Sequence, residues 1–126
     1  MSITRLHHVN ICTDDIRASA RFYAEVFDLE ARNAPGPYPA EMVQWMYNAD
    51  NQPVIHLFKQ KREPGSTGVI HHVALDCVGR NKIRERLDRV GARYQTRQEE
   101  GGAIIFMQDP HGVMLELYFP GETSDD

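Results

Sequence analysis

The sequence predicts an α+β fold in which two tandem βαβββ modules form a curved, partly open, β-barrel-like sheet with the helices on its outer face. Three observations support this fold class. A histidine pair recurs in the same local setting, as Leu6-His7-His8-Val9 and as Ile70-His71-His72-Val73. Near the end of each half, a short apolar strand carries one polar residue, His56 or Glu116. Both halves also run in the same order, from a strand to a helix and then to further strands.

Length and composition are those of one compact domain. The chain has 126 residues, of which 41% are hydrophobic and 25% are charged. This is enough to bury one core but too little for two independent ones. We therefore expect a single domain with module one at about residues 3–59, a linker at 60–68, module two at about 69–119 and an acidic tail at 120–126 that is solvated.

Charge and hydropathy exclude two kinds of partner. The formal net charge is −4 and the basic residues are scattered, so no basic face is available for nucleic acid. No apolar run approaches the roughly 20 residues that cross a bilayer, and the start of the chain lacks the apolar stretch of a secretory signal. We expect a cytoplasmic protein. Cys12 and Cys77 are too few for a disulfide framework and are expected to be buried free thiols.

The first module begins with a strand at residues 3–12, after which Thr13 or Asp14 can cap a helix. Its apolar residues recur at helical spacing, at Ile16, Ala20, Tyr23 and Phe27. The stretch 33–39 is rich in proline and breaks regular structure. Strands are predicted at 42–48 and 53–59, joined by a turn at 49–52.

The second module repeats this order with a strand at 69–77 and a helix from about Asn81. Ile83, Leu87 and Val90 form its apolar stripe, and Gly91 is placed to stop it. Strands near 92–97, 103–107 and 113–119 follow, with turns at 99–102 and 109–112.

Strand alternation indicates which polar residues face away from the helices. Successive side chains of a strand point to opposite faces, and the apolar face must meet the helix. His8 lies opposite Val9 and Ile11 in this alternation. The same test places His56, His72 and Glu116 opposite their apolar neighbours. All four are therefore predicted to line the concave face, where pockets form.

Three imidazoles and one carboxylate suit one divalent first-row transition ion per site, such as Fe, Zn, Ni or Mn. A single strand histidine is more often a hydrogen-bonded structural residue, so the prediction depends on the repeated pattern. The alternative for Glu116 is an edge strand with its carboxylate in water. His7 and His71 are interpreted as helix-facing or rim residues.

Two further residues have competing interpretations. His111 lies in the turn Asp109-Pro110-His111-Gly112, where a side chain usually meets solvent, and its alternative is a place at the pocket mouth. Trp45 is interpreted as a core residue of its strand, with stacking on a substrate as the alternative.

The chain resembles the vicinal oxygen chelate superfamily, which includes glyoxalase I, extradiol dioxygenases, fosfomycin resistance enzymes and bleomycin-binding proteins. The resemblance rests on the paired modules, on the opening Leu6-His7-His8-Val9-Asn10-Ile11 and on the close Asp109-Pro110-His111-Gly112-Val113-Met114-Leu115-Glu116-Leu117. It implies metal ligands at His8, His72 and Glu116, with a fourth from the strand of His56. It also implies a homodimer that assembles each site from both subunits.

Departures from the family patterns limit what the resemblance implies about the reaction. Resemblance to glyoxalase I would favour a glutamate at position 56, where this chain has a histidine. At the end of the first helix, this chain has Asp28 where many relatives have a glycine. Extradiol dioxygenases tend to carry an acid-base histidine before the last strand, where residues 98–102 contain none.

Three functions follow from the resemblance. The first is a metal-dependent lyase or isomerase of glyoxalase type, acting on a small substrate with adjacent oxygens and using Glu116 as the base. The second is an iron-dependent dioxygenase of the extradiol type. The third is a metal-free protein that sequesters a small molecule, as bleomycin-binding relatives do.

Overall fold

The computed structural model describes residues 1–3, 5–63, 68 and 70–124. The chain divides into two compact units, Met1–Arg62 and Glu63–Asp126. Each unit has the element order βαβββ, which confirms the predicted tandem modules. The predicted linker at 60–68 includes residues 64–67, which lie outside the described residues. Within the described part of the chain, no helix is long and apolar enough to span a membrane.

The first unit consists of β1 (Val9–Thr13), α1 (Ile16–Phe27), β2 (Glu30–Arg32), β3 (Val43–Tyr47) and β4 (Pro53–Lys59). Its sheet has the strand order β1-β4-β3-β2. Strand β1 is parallel to β4, whereas the β3 pairings with β4 and β2 are antiparallel. The parallel pairing places the first and last strands of the module side by side, so that His8, directly before β1, adjoins β4.

Helix α1 begins because Asp15 caps it. The Asp15 side chain accepts a hydrogen bond from the backbone N–H of Ala18 at 3.0 Å, which satisfies one of the free donors of the first turn. The predicted cap at Thr13 or Asp14 is therefore wrong by one or two residues. Thr13 contributes differently, since the buried Ser19 hydroxyl donates to its Oγ1 at 2.8 Å.

Helix α1 covers one face of its sheet. Its buried apolar side chains are Ile16, Phe22, Tyr23 and Val26. The sheet residues that alternate toward this side are also buried: Ile11, Met46, Ile55 and Leu57. Burial of each such side chain contributes about 1.5–3 kcal/mol. Among the described residues of this unit, no helix lies on the opposite face of the sheet, which is named the open face of the first unit.

The second unit consists of β5 (Val73–Asp76), α2 (Arg80–Arg89), β6 (Tyr94–Glu99), β7 (Gly102–Gln108) and β8 (Met114–Pro120). Its sheet has the order β5-β8-β7-β6, with β5 parallel to β8 and the other pairs antiparallel. This arrangement repeats that of the first unit. It confirms an α+β fold made of two equivalent four-stranded sheets.

The start of α2 is capped by the tail of the chain. Both carboxylate oxygens of Glu122 accept hydrogen bonds from the helix start, one from the backbone N–H of Gly79 at 2.9 Å and one from Arg80 at 2.8 Å. A carboxylate at this position also interacts favourably with the helix dipole. The expectation that the whole tail is solvated is therefore wrong for Glu122.

Several strand boundaries differ from the prediction. Strands β1 and β5 begin at Val9 and Val73, not at 3 and 69, so that both histidine pairs lie before a strand; residue 69 itself lies outside the described residues. Strand β2 (Glu30–Arg32) was not foreseen from the residues. Gly91 follows Val90, the C-cap residue of α2, and has φ 73°, as predicted for a stop residue.

Candidate functional site

His56 lies on the open face of the first unit. It alternates with Ile55 and Leu57 on β4, whose side chains are buried on the α1 side. Its direct neighbours across the sheet are Asn10 on β1 and Trp45 on β3. The predicted orientation of His56, away from the helix, is the one that the sheet register gives.

Three rings form a stack on this face. The Trp45 and His56 rings are 4.0 Å apart between centroids with an interplanar angle of 8°, and the His56 and His8 rings are 3.7 Å apart at 12°. Trp45 is half-buried and is not part of the core under α1, so its interpretation as a core residue is wrong. Its neighbour Met46, which is fully buried, occupies that position instead.

The environment of His56 keeps its imidazole neutral. Burial lowers the pKa of His56 most, and the positive charges of His8 and His7 lower it further. A backbone hydrogen bond at Pro53 has the opposite effect, and the resulting pKa is about 4. Proline has no N–H, so this backbone partner is the carbonyl and the ring donates to it. His56 Nε2 is buried and has no hydrogen-bond partner among the residues that the structure describes. The ring thus presents an unused lone pair at neutral pH.

His7 and His8 lie before β1, where strand alternation does not apply. Both side chains are exposed, and their Nδ1 atoms are 2.9 Å apart. Of the two interpretations of His7, as a helix-facing or as a rim residue, the helix-facing one is therefore wrong, and the rim one stays a prediction. The pair His71 and His72 repeats this arrangement before β5, with the same Nδ1 to Nδ1 distance of 2.9 Å and with both residues exposed. The helix-facing interpretation of His71 is wrong for the same reason.

Glu116 lies on β8, on the face of its sheet opposite the buried Leu115 and Leu117. It pairs with Ala74 on β5 and with Phe106 on β7, and its side chain is half-buried. His72 precedes β5 by one residue and approaches the Phe106 ring edge-on, with 6.3 Å between ring centroids. In the second unit, Phe106 is therefore both the ring that His72 approaches and a strand partner of Glu116.

Arg97 is a neighbour of this site that the sequence did not single out. Its guanidinium lies 5.1 Å from the centroid of the Phe106 ring, within the range of a cation–π contact. It also forms an ion pair with Glu99 at 2.7 Å. Arg97 could have been found from the alternation Gln95, Arg97, Glu99 along β6, but the predicted strand ended at residue 97.

A separate cleft of about 630 Å³ opens at the start of α1. Its lining includes Asp14, Arg17, Gln44 and Lys59. Gln44 pairs with Leu57, which belongs to the α1 side of the sheet. This cleft is therefore not on the face that carries His56.

The donors that the sequence predicts fit a divalent transition ion in their chemistry. Neutral imidazole and carboxylate are its usual ligands, and the unpartnered Nε2 of His56 is a lone pair of the required kind. Each unit brings two of the predicted donors to one face. No group of three or more histidine, cysteine or acidic side chains that could hold an ion is found within residues 1–3, 5–63, 68 and 70–124.

The ring stack restricts how the first unit could hold an ion. An imidazole binds a cation close to its own ring plane, along the nitrogen lone pair. The His8 and His56 rings are nearly parallel and their centroids are 3.7 Å apart, so a single cation cannot lie in the planes of both rings. For His8 and His56 to share an ion, one ring must turn, and His8 is the exposed one.

The chain is thus a small protein of two βαβββ modules. Histidine and carboxylate side chains lie on the sheet faces that point away from the buried apolar residues. The chain belongs to the Glyoxalase/Bleomycin resistance protein/Dioxygenase superfamily, whose family model matches residues 5–117. No curated protein matches the chain.

Solved structures share the fold at low sequence identity. A putative glyoxalase family protein from Bacillus anthracis has a TM-score of 0.74 at 17% identity, with 95% of this chain and 98% of that chain covered. A glyoxylase/bleomycin resistance protein/dioxygenase domain from Frankia sp. EAN1pec has a TM-score of 0.72 at 16% identity, covering 94% and 99%. A variant of the fosfomycin resistance protein FosX from Listeria monocytogenes, in complex with Mn(II) and 1S,2S-dihydroxypropylphosphonic acid, has a TM-score of 0.72 at 16% identity, covering 94% and 94%.

Proposed function

We propose that this protein is a metal-dependent lyase or isomerase of glyoxalase type that acts on a small substrate with adjacent oxygens. The observation that carries the proposal is His56, a neutral, buried imidazole whose Nε2 faces no partner among the described residues. A buried polar nitrogen without a partner costs free energy, and a bound cation would remove this cost. The FosX complex supports the substrate class, because a diol carries adjacent oxygens.

The proposed ligands are His8, His56, His72 and Glu116, holding one divalent ion of the Fe, Zn, Ni or Mn group. When bound, the ion would polarise the substrate oxygens as a Lewis acid. The neutral His56 ring is ready to donate its lone pair without first losing a proton. Turning of the exposed His8 ring would bring the second imidazole toward the same ion.

Glu116 is proposed to be the general base, in a role that requires its carboxylate to leave the ion when the substrate binds. Its carboxylate is the acidic group of the donor set, and a proton acceptor must lie within hydrogen-bond reach of the proton that it takes. Glu116 is the strand partner of Phe106 on β7, and its side chain is half-buried. We propose that Glu116 accepts the proton from the carbon next to the polarised oxygen and then returns it to the product.

Metal content tests this proposal directly. Purified wild-type protein is expected to retain about one divalent ion per site, and His72→Ala is expected to lose it while its circular dichroism spectrum stays that of the folded protein. His111→Ala is the matched control, because it removes a histidine outside the donor set. Equal metal content in wild type and His72→Ala would refute the ligand assignment.

An iron-dependent dioxygenase is the second candidate. The ring stack favours it, because a site that uses only one of His8 and His56 would have two histidines and one carboxylate, the facial triad of non-haem iron oxygenases. Oxygen uptake by the iron-loaded protein would support the dioxygenase, whereas anaerobic turnover with nickel, zinc or manganese would support the lyase or isomerase. Ligand binding by metal-free protein without any turnover would indicate a sequestering protein.

We further propose that the protein acts in the cytoplasm as a homodimer. The proposal follows from relatives of this size, which commonly pair and build each site from both subunits. Analytical ultracentrifugation is expected to give twice the 14.4 kDa mass of the chain. A monomer at micromolar concentration would contradict the dimer.

A further inference from the structure

We propose that His7 and His71 are positioning residues that fix the ring tautomer of His8 and His72, so that Nε2 of each is the nitrogen offered to a metal ion. This inference rests on the proposed metal site. It assigns a role to two histidines that the strand pattern had placed on the helix side or at a rim.

The repeated geometry carries the inference. In both units the two adjacent histidines lie just before a strand, outside its alternation, and in both the Nδ1 atoms are 2.9 Å apart. The two ring planes are nearly perpendicular in both pairs, at 83° and 87°, with the same centroid separation of 5.2 Å. The same contact therefore occurs twice, at equivalent positions of the two modules.

A contact between two Nδ1 atoms at this distance requires one donor and one acceptor. A neutral imidazole carries its proton on one nitrogen and a lone pair on the other. If His8 Nδ1–H donates to His7 Nδ1, then His8 Nε2 keeps its lone pair and can ligate. In the reverse arrangement, His7 donates, the proton of His8 lies on Nε2, and this nitrogen cannot bind a metal ion. The same two tautomers are possible for His72 in its contact with His71.

Metal-ligating histidines usually donate their second ring N–H to a partner, which fixes the tautomer and the ring orientation. Such partners are commonly carboxylates, backbone carbonyls or water. Here the preceding residue of the chain supplies the acceptor. Because His7 and His8 are both exposed, the two rings can turn as a pair, with their Nδ1 contact kept, when His8 leaves the ring stack on His56.

The tautomers are measurable without any metal. Long-range proton–nitrogen correlation spectra of the ¹⁵N-labelled apoprotein at about pH 8, above the usual histidine pKa of about 6.5, distinguish Nδ1–H from Nε2–H rings. We expect His8 and His72 as Nδ1–H forms and His7 and His71 as Nε2–H forms. In the His7→Ala variant, the His8 ring is expected to become a mixture of both. The opposite assignment in the wild-type protein would overturn the inference.

Zinc affinity provides the second measurement. His7→Ala and His71→Ala are each expected to weaken zinc binding about tenfold, at the lower end of the effect of losing such a partner. His7→Asn places an amide oxygen near the position of Nδ1 and is expected to restore most of the affinity. His111→Ala is the control and is expected to bind zinc as the wild type does.

The outcomes separate this inference from the proposed function. If wild type binds no divalent ion, the proposed metal site fails and the inference falls with it. If wild type binds zinc and His72→Ala does not, but His7→Ala and His71→Ala bind it with unchanged affinity, the metal site stands and the positioning role is refuted. Weakening by His7→Ala without rescue by His7→Asn would also refute it, because loss of packing alone would explain the change.

Discussion

At the scale of single residues, strand alternation predicts the orientation of a side chain only if its residue lies inside the strand. His56 and Glu116 lie inside β4 and β8, and their predicted orientation away from the buried residues follows from the register. His7 and His71 precede the strands, so their side chains are not held on the opposite face and instead contact the next histidine. The extent of a strand depends on its pairing with distant residues, which local sequence does not reveal.

Gly102 shows a constraint on a single residue in the second sheet. A Cβ atom added there would lie 2.5 Å from the backbone oxygen of Phe119 and 3.0 Å from the Tyr118 ring. Because backbone of the neighbouring strand cannot move aside cheaply, Gly102→Ala is expected to lower the free energy of unfolding by about 1–3 kcal/mol. Chemical denaturation measures this change.

The control for Gly102→Ala is Glu100→Ala in the adjacent turn. Glu100 is exposed, and a surface substitution of this kind is expected to change the free energy of unfolding by no more than about 0.5 kcal/mol. Equal stability of the two variants would show that β7 and β8 can separate enough to admit a methyl group at position 102.

Cys77 is expected to be an unreactive thiol in the folded protein. Burial, and then the charges of Asp76 and Glu122, raises its pKa to about 12, and only the thiolate is a good nucleophile. In a Cys12→Ala variant, alkylation of Cys77 by iodoacetamide at about pH 8 is expected to be slow in the native protein and fast after unfolding in urea, where the pKa returns to about 8.5. Equal rates in both states would contradict the raised pKa.

The raised pKa of Cys77 also has a consequence for stability. The folded state keeps the thiol proton between the unfolded pKa of about 8.5 and the folded pKa of about 12, whereas the unfolded state has lost it. The contribution of Cys77 to stability is therefore fully present below the unfolded pKa and is lost as pH rises toward the folded one.

At the scale of elements, the positions of helices and strands were largely predictable and their ends were not. Helix α1 is predictable from its apolar stripe and β4 from the run Pro53–Lys59, because hydrophobic periodicity is a property of the local sequence. Strand β2 has three residues, too few to show a period. The cap of α2 comes from Glu122, far along the chain, and only the tertiary fold brings it there.

Glu122 is predicted to stabilise α2 measurably. Glu122→Ala removes the acceptor from two backbone N–H groups at the helix start and is expected to lower the free energy of unfolding by about 1–2 kcal/mol. Glu122→Gln keeps one acceptor oxygen without the charge and is expected to lose less. Thermal unfolding of the three proteins, followed by circular dichroism, measures the difference. No change in the alanine variant would mean that water replaces the carboxylate without cost.

At the scale of the whole molecule, the duplicated fold explains why equivalent positions carry chemistry in both units. Each module places a histidine pair before its first strand and a histidine or glutamate near the middle of its last strand. The parallel pairing of the first and last strands places these two strands side by side. The polar residue is His56 in one unit and Glu116 in the other. The duplication was visible in the sequence, whereas the ring stack of Trp45, His56 and His8 depends on cross-strand register and was not.

Metal binding by the folded chain should appear as a gain in stability. An ion that binds only the native state stabilises it by about 2.7 kcal/mol when present at 100 times its dissociation constant. Zinc is therefore expected to raise the unfolding temperature of wild type by several degrees, as a change of this size does in a domain of this length. The variants His72→Ala and Glu116→Gln each lose one proposed ligand, so they are expected to show little or no zinc-dependent shift in unfolding temperature. His111→Ala should shift as wild type does, and a similar shift in all four proteins would place the zinc elsewhere on the chain.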